Sequence, residues 1–194
     1  MSSAATRTLR PVPLTPEAFA PFGAVIECGL GEIIPINGGT CERHHALAAI
    51  ECAGGREPIL SIFRAQPRAL PMEVAMMERH PLGSQAFVPL EGRAEGGGDG
   101  RAWIAVVAPN EAAVNGDGGG DGSGGCGPGA PLAFLCRADQ GLSLAPGVWH
   151  HPLIVLDARS DFLVADSRGE APNLEEARYA EPWTLVAGAP SSAP

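Results

Sequence analysis

The residues able to do chemistry are concentrated. All five histidines lie in three short segments: Glu42-Arg43-His44-His45, Glu78-Arg79-His80-Pro81-Leu82-Gly83-Ser84-Gln85 and Val148-Trp149-His150-His151-Pro152. Histidine gains and loses its proton near neutral pH and is the commonest metal ligand. The first two segments also carry acids, arginines or an amide. Together these types suit acid–base catalysis, anion binding or the holding of a divalent ion.

The spacing sharpens this. Glu78-x-His80 is followed by four residues and Gln85, then by six residues and Gly92. Much later, Gly147 is followed by two residues and His150. Small β-barrel enzymes of the cupin type hold a metal with a two-part motif of this rhythm. In them a His-x-His pair, a Glu and a Gly are completed by a Gly and a His from across the barrel. Here Glu78 takes the place of the first His and Gln85 that of the Glu. The set Glu78, His80, Gln85 and His150 offers two imidazoles, a carboxylate and an amide oxygen. That donor set suits nickel, manganese, iron or zinc. His151 alternates to the opposite face from His150 and is kept as a site residue beside it.

Composition limits the partners. The chain has 194 residues, 45% of them hydrophobic and 18% charged, with a net charge of −9. A length of this order suits one domain with one sizeable core. A net negative surface disfavours nucleic acid and anionic membrane as partners. A small anion needs only local arginines. No apolar run is long enough to span a membrane. The five cysteines form no Cys-x-x-Cys pair and no secretory h-region follows Met1, which points to reduced thiols in the cytoplasm.

The elements that must position the histidines read as strands. Residues 58–64, 85–90, 103–107, 132–137, 142–144, 153–156 and 162–165 are short apolar runs bounded by Gly, Pro and Asp. Residues 71–80 also read as a strand, because the residue before Pro81 avoids the α region. Alternation then puts Glu78 and His80 on the face of Met72, Val74 and Met76. Only residues 15–22, with Thr15 as N-cap and Pro16 in the first turn, and 172–179 read as helical. The expected fold is mainly β, a cupin-like double-stranded β-helix (jelly-roll) barrel with one or two short helices. One domain is expected over 8–185. The Gly-rich stretches 94–100 and 115–130 are expected as flexible loops within it, and 186–194 as a disordered tail.

The chain resembles the ureidoglycolate lyase family of cupin-fold enzymes. The resemblance rests on Ile36-Asn37-Gly38-Gly39, Glu42-Arg43-His44-His45, Arg64-Ala65-Gln66-Pro67, residues 78–87, Trp149-His150-His151-Pro152-Leu153 and Asp161-Phe162-Leu163. It departs from the family at His44 and Ala46, where a tyrosine and an aspartate are common. It departs again at Asp166-Ser167-Arg168-Gly169, where the family has Asp-Arg-Gly. The resemblance implies a homodimer, the cleavage of ureidoglycolate to glyoxylate and urea, and in some members a divalent metal.

The residue types match that substrate. It is a carbinolamide with a carboxylate, so Arg43 or Arg64 can grip its charge as a fork. Asn37, Gln66 and Gln85 offer amide contacts to the ureido group, and His45 and His151 flank the same set. His80, His150 and Glu78 supply the acid and base. No organic cofactor is called for. Two other classes remain: a metal-dependent cupin dioxygenase and a cupin that senses a small acid.

Overall fold

Short apolar segments broken by turn residues cannot bury themselves singly, so they pair into two curled sheets. The structure is a computed structural model and describes residues 7–90, 102–112 and 126–187. The larger sheet runs, in order, through Thr8–Leu9, Glu175–Leu185, Met72–Arg79, Trp149–His150, Trp103–Ala108, Leu132–Cys136 and Val12–Pro13, with Ile154–Val155 also paired to Trp103–Ala108. The second runs through Gly23–Ile26, Gly141–Leu144, Gln85–Pro89, Ser160–Arg168 and Glu57–Ala65. The fold is mainly β and cupin-like. Gly92, the stretches 94–100 and 115–125, and the tail from 188 lie outside the described residues. The remainder of the second Gly-rich stretch is not wholly a loop, since Cys126–Pro128 pairs with Asn110–Ala112. Among the described residues, no helix is long and apolar enough to cross a membrane.

One core lies between the sheets. Trp103, Ala105 and Val107, with Phe134 of the same sheet, pack there with Phe87, Leu142 and Phe162 of the second. The alternate residues Ile104, Val106 and Ala108 face the other way, into a second cluster with Val74, Met77 and Trp149. The one α-helix among the described residues, Pro16–Phe19, is capped by the Thr15 hydroxyl, which accepts from Ala18 N–H at 3.2 Å. It buries Phe19 completely against Phe134, edge to face with centroids 5.5 Å apart.

Two local expectations are corrected. Residues 172–179 do not form a helix: Glu175–Leu185 is a strand against Met72–Arg79, interrupted by a bulge between Arg178 and Trp183. Its apolar residues Ala177, Tyr179 and Trp183 pack on the outer cluster, at a spacing that suits a strand. The strand Met72–Arg79 is as expected, but its alternation breaks once. Met72, Val74 and Met77 all pack on the outer cluster, so Met72 and Val74 do not share the inner face of Glu78.

Candidate active site

Cross-strand pairing brings the two halves of the motif together. Glu78 and His150 are direct partners in the large sheet, and His150 also pairs with Val107. Directly opposed residues share a face, and Val107 belongs to the core between the sheets. Glu78 and His150 therefore point inward. Gly147 ties the halves at their turn: its N–H donates to the His80 carbonyl at 2.9 Å, from a left-handed φ of 75°. A side chain with a Cβ is disfavoured in that conformation.

One ligand atom each from Glu78, His80 and His150 lies within 4.8 Å of the others. The His80 and His150 rings are 5.3 Å apart, centroid to centroid, and His150 Nε2 stands 3.6 Å from Glu78 Oε1. The tautomers are set by backbone carbonyls, which only accept. His80 Nδ1 donates to Asn173 O at 2.6 Å, His150 Nδ1 to Val148 O at 3.0 Å and His151 Nδ1 to Pro152 O at 2.8 Å. In the neutral tautomer so fixed, the lone pair is on Nε2, the arrangement found where imidazoles act as bases or metal ligands. His150 Nε2 is buried without a hydrogen-bond partner. This fits a divalent ion held by Glu78, His80 and His150.

The electrostatics agree. Burial pushes the Glu78 carboxyl up, but His150 first, then His80 and His151, outweigh it and hold it below its ordinary value. Burial holds the His151 imidazole below its ordinary value; the Pro152 carbonyl and Glu78 pull the other way, while Arg68 and His150 add to the burial effect. The strand ends at His150, and both histidines line one small core cavity with Phe87 and Leu153.

Gln85, 7% exposed, has its amide oxygen buried and unpartnered. It stands between two open cavities. One, of about 380 Å³, is lined by Phe63, Arg64, Glu78, Gln85 and Leu153. The other, of about 250 Å³, is lined by Arg56, His80, Ser84, Gln85, Asp166 and Asn173. Arg64 reaches the first, but its guanidinium forks onto Asp161, with Nε and a terminal nitrogen at 2.9 and 2.8 Å from the two oxygens. Gln66 follows that strand and is exposed. Asn37, Arg43 and His45 stand elsewhere, on a separate hairpin of Glu32–Ile36 and Cys41–His45. Asn37 takes a left-handed φ of 54° at its tip, and Arg43 is exposed. These three are not among the residues lining the two cavities.

Sequence reasoning missed Asp166, Ser84, Asn173 and Arg56. Asn173 clamps the His80 turn, because its side-chain oxygen accepts from Leu82 N–H at 2.6 Å while its carbonyl takes His80. Ser84 Oγ accepts from Glu51 N–H at 2.8 Å. Asp166 continues the inward alternation of Phe162 and Val164, a signal that the sequence held but that the polar Asp-Ser-Arg-Gly ending obscured.

Most of the chain has close relatives. The family model described as ureidoglycolate lyase matches residues 6–186. A protein of Agrobacterium fabrum named ureidoglycolate lyase is 49% identical over 90% of this chain and 93% of its own length. Proteins of the same name from Burkholderia cepacia and Rhizobium etli are each 46% identical, over 93% and 92% of this chain and 91% and 95% of their own. Matches of this extent take in both halves of the inward Glu78–His80–His150 group together with the strands that hold it. This chain belongs to the ureidoglycolate lyase family.

Proposed function

We propose that this protein cleaves ureidoglycolate to glyoxylate and urea. One observation carries the reading: within this family's fold, an inward carboxylate and two imidazoles with free Nε2 atoms converge on one point. The reaction asks for no more. A base removes the carbinol hydroxyl proton, and the oxygen's electrons form the aldehyde carbonyl. The C–N bond breaks, and the departing urea nitrogen takes a proton. His150 or His80 moves these protons through Nε2, and Glu78 balances the charge that an imidazolium acquires. The core between the sheets walls the group from bulk water on one side, which strengthens each contact.

A divalent ion, of nickel, manganese, iron or zinc, would be held by Glu78, His80 and His150 with Gln85 beside them. When bound it polarises the hydroxyl oxygen. No redox step is required, which separates this reading from a dioxygenase. A homodimer in the cytoplasm belongs to the same reading.

Two experiments test it directly. Purified protein given ureidoglycolate should release glyoxylate and urea in equal amounts without taking up oxygen; no glyoxylate in a trapping assay ends the lyase reading. Elemental analysis should find a divalent metal in the wild type and little in a His80→Ala/His150→Ala double variant. Equal metal in both proteins would remove these residues from the ligand set.

Arg64 is the carboxylate anchor in this reading, released from Asp161 as substrate enters. Its guanidinium is exposed and already paired, so solvent and Asp161 both reduce its worth. Arg64→Ala should therefore raise KM about tenfold, the low end for a charge-assisted contact, with kcat nearly unchanged. A KM equal to wild type would move the anchor elsewhere.

A further inference from the structure

Two of the buried polar atoms without a hydrogen bond lie in the wall of the second cavity. Asp166 Oδ1 and Gln85 Oε1 are both buried and neither has a hydrogen-bond partner. They are neighbours. In the second sheet Ala165 pairs with Ala86, so one step along each antiparallel strand brings Asp166 beside Gln85. Both residues line the 250 Å³ cavity that His80 also lines. Buried polar atoms are nearly always satisfied, and an acceptor left unpaired is costly. Two such acceptors side by side next to a catalytic imidazole call for a ligand with two hydrogen-bond donors.

The cation nearest in the cavity wall does not serve. Arg56 spends its guanidinium on Ser167 Oγ at 2.9 Å, Ser167 O at 2.8 Å and Ala171 O at 2.7 Å. Ser84 Oγ accepts from the Glu51 amide, and the Asn173 oxygens take Leu82 N–H and His80. None of these groups donates to Asp166 Oδ1 or Gln85 Oε1. Burial holds the Asp166 carboxyl above its ordinary value, against the pull of His80 and Arg56. Its Oδ1 is thus held at the cavity without a hydrogen bond.

We propose that Asp166 and Gln85 form the ureido-binding subsite, each accepting one N–H of the substrate's terminal NH2 group. This rests on the lyase reading and gives the substrate a direction. Its carboxylate faces the cavity of Arg64, its ureido group faces the cavity of Asp166, and its carbinol carbon lies between them at Glu78 and His150. The departing nitrogen is then on the side of His80, which makes His80 the group that returns the proton. Asp166 is a specificity residue: it selects a terminal NH2 over a methyl of the same shape, because only the former satisfies both acceptors.

The test uses two ligands that cannot be cleaved, N-carbamoylglycine and N-acetylglycine, which differ only in NH2 against CH3. Titration calorimetry on the wild type should show N-carbamoylglycine binding about 10- to 100-fold more tightly, the range for a hydrogen bond to a charged group. Asp166→Ala should bring the two within about threefold by weakening N-carbamoylglycine alone, with the melting temperature held. If Asp166→Ala does not fold, the near-isosteric Asp166→Asn decides by the same ratio, reduced but not abolished. A wild type that binds the two alike, or binds neither, overturns the subsite. So does a variant that keeps the wild-type ratio or loses both ligands equally. Turnover of ureidoglycolate is scored separately. A wild type that discriminates between the ligands but releases no glyoxylate keeps the subsite and ends the lyase reading. One that releases glyoxylate but does not discriminate does the reverse.

Discussion

His150→Ala should lower kcat by roughly 10²–10⁴ and leave KM within a small factor, the loss expected for a positioned acid or base. The size of the effect follows from how firmly the ring is held. His150 is 4% exposed and lies between Met72–Arg79 and Trp103–Ala108. Its Nδ1 proton is fixed on the Val148 carbonyl, so Nε2 is the only nitrogen that can act. Water entering the space left by the ring has no orientation to match. His151→Ala makes the comparison, since His151 is also buried and also bound to a carbonyl but is not in the three-residue group. It should lose far less. Steady-state kinetics with glyoxylate trapped as it forms would measure both. Equal losses in the two variants would mean that packing, not proton transfer, explains the effect.

Phe134→Ala should destabilise the fold by about 3–5 kcal/mol while leaving the chemistry intact at low temperature. Phe134 is 2% exposed and is the meeting point of the helix and the large sheet. It takes Phe19 edge-on at 5.5 Å and Phe22 at 6.3 Å, and its backbone pairs with Ala105 and Val12. The hole left by truncation is walled by strands on both sides, so it cannot collapse cheaply. For a chain of this length each kcal/mol moves the melting temperature by roughly 2–4 °C. Denaturant unfolding that gives a change below about 1 kcal/mol would show that this cluster is not the keystone of the core. The kcat of the folded fraction, measured well below the melting temperature, should match the wild type.

The sequence by itself determined the class of fold and the nearness of Glu78, His80 and His150. Short apolar runs between turn residues are a local signal, and local signals survive folding; nearly every such run became a strand. The nearness of Glu78, His80 and His150 was legible because a barrel brings a fixed spacing to a fixed place; Gln85 stands beside them, outside that group. What the sequence left open depended on register and on strand ends. Residues 172–179 satisfied a helical pattern, and only pairing with Met72–Arg79 turned them into a strand. His151 was assigned by an alternation that stops one residue before it. Arg64 reads as a free cation until the Glu57–Ala65 and Ser160–Arg168 strands align and set Asp161 opposite it. Asp166 is one of several acids in the sequence. It becomes a candidate for substrate recognition because Ala165 pairs with Ala86, which sets its buried Oδ1 near Gln85 with no hydrogen-bond partner among the described residues. A pairing between residues nearly eighty positions apart is a property of the folded sheet, and no local pattern encodes it.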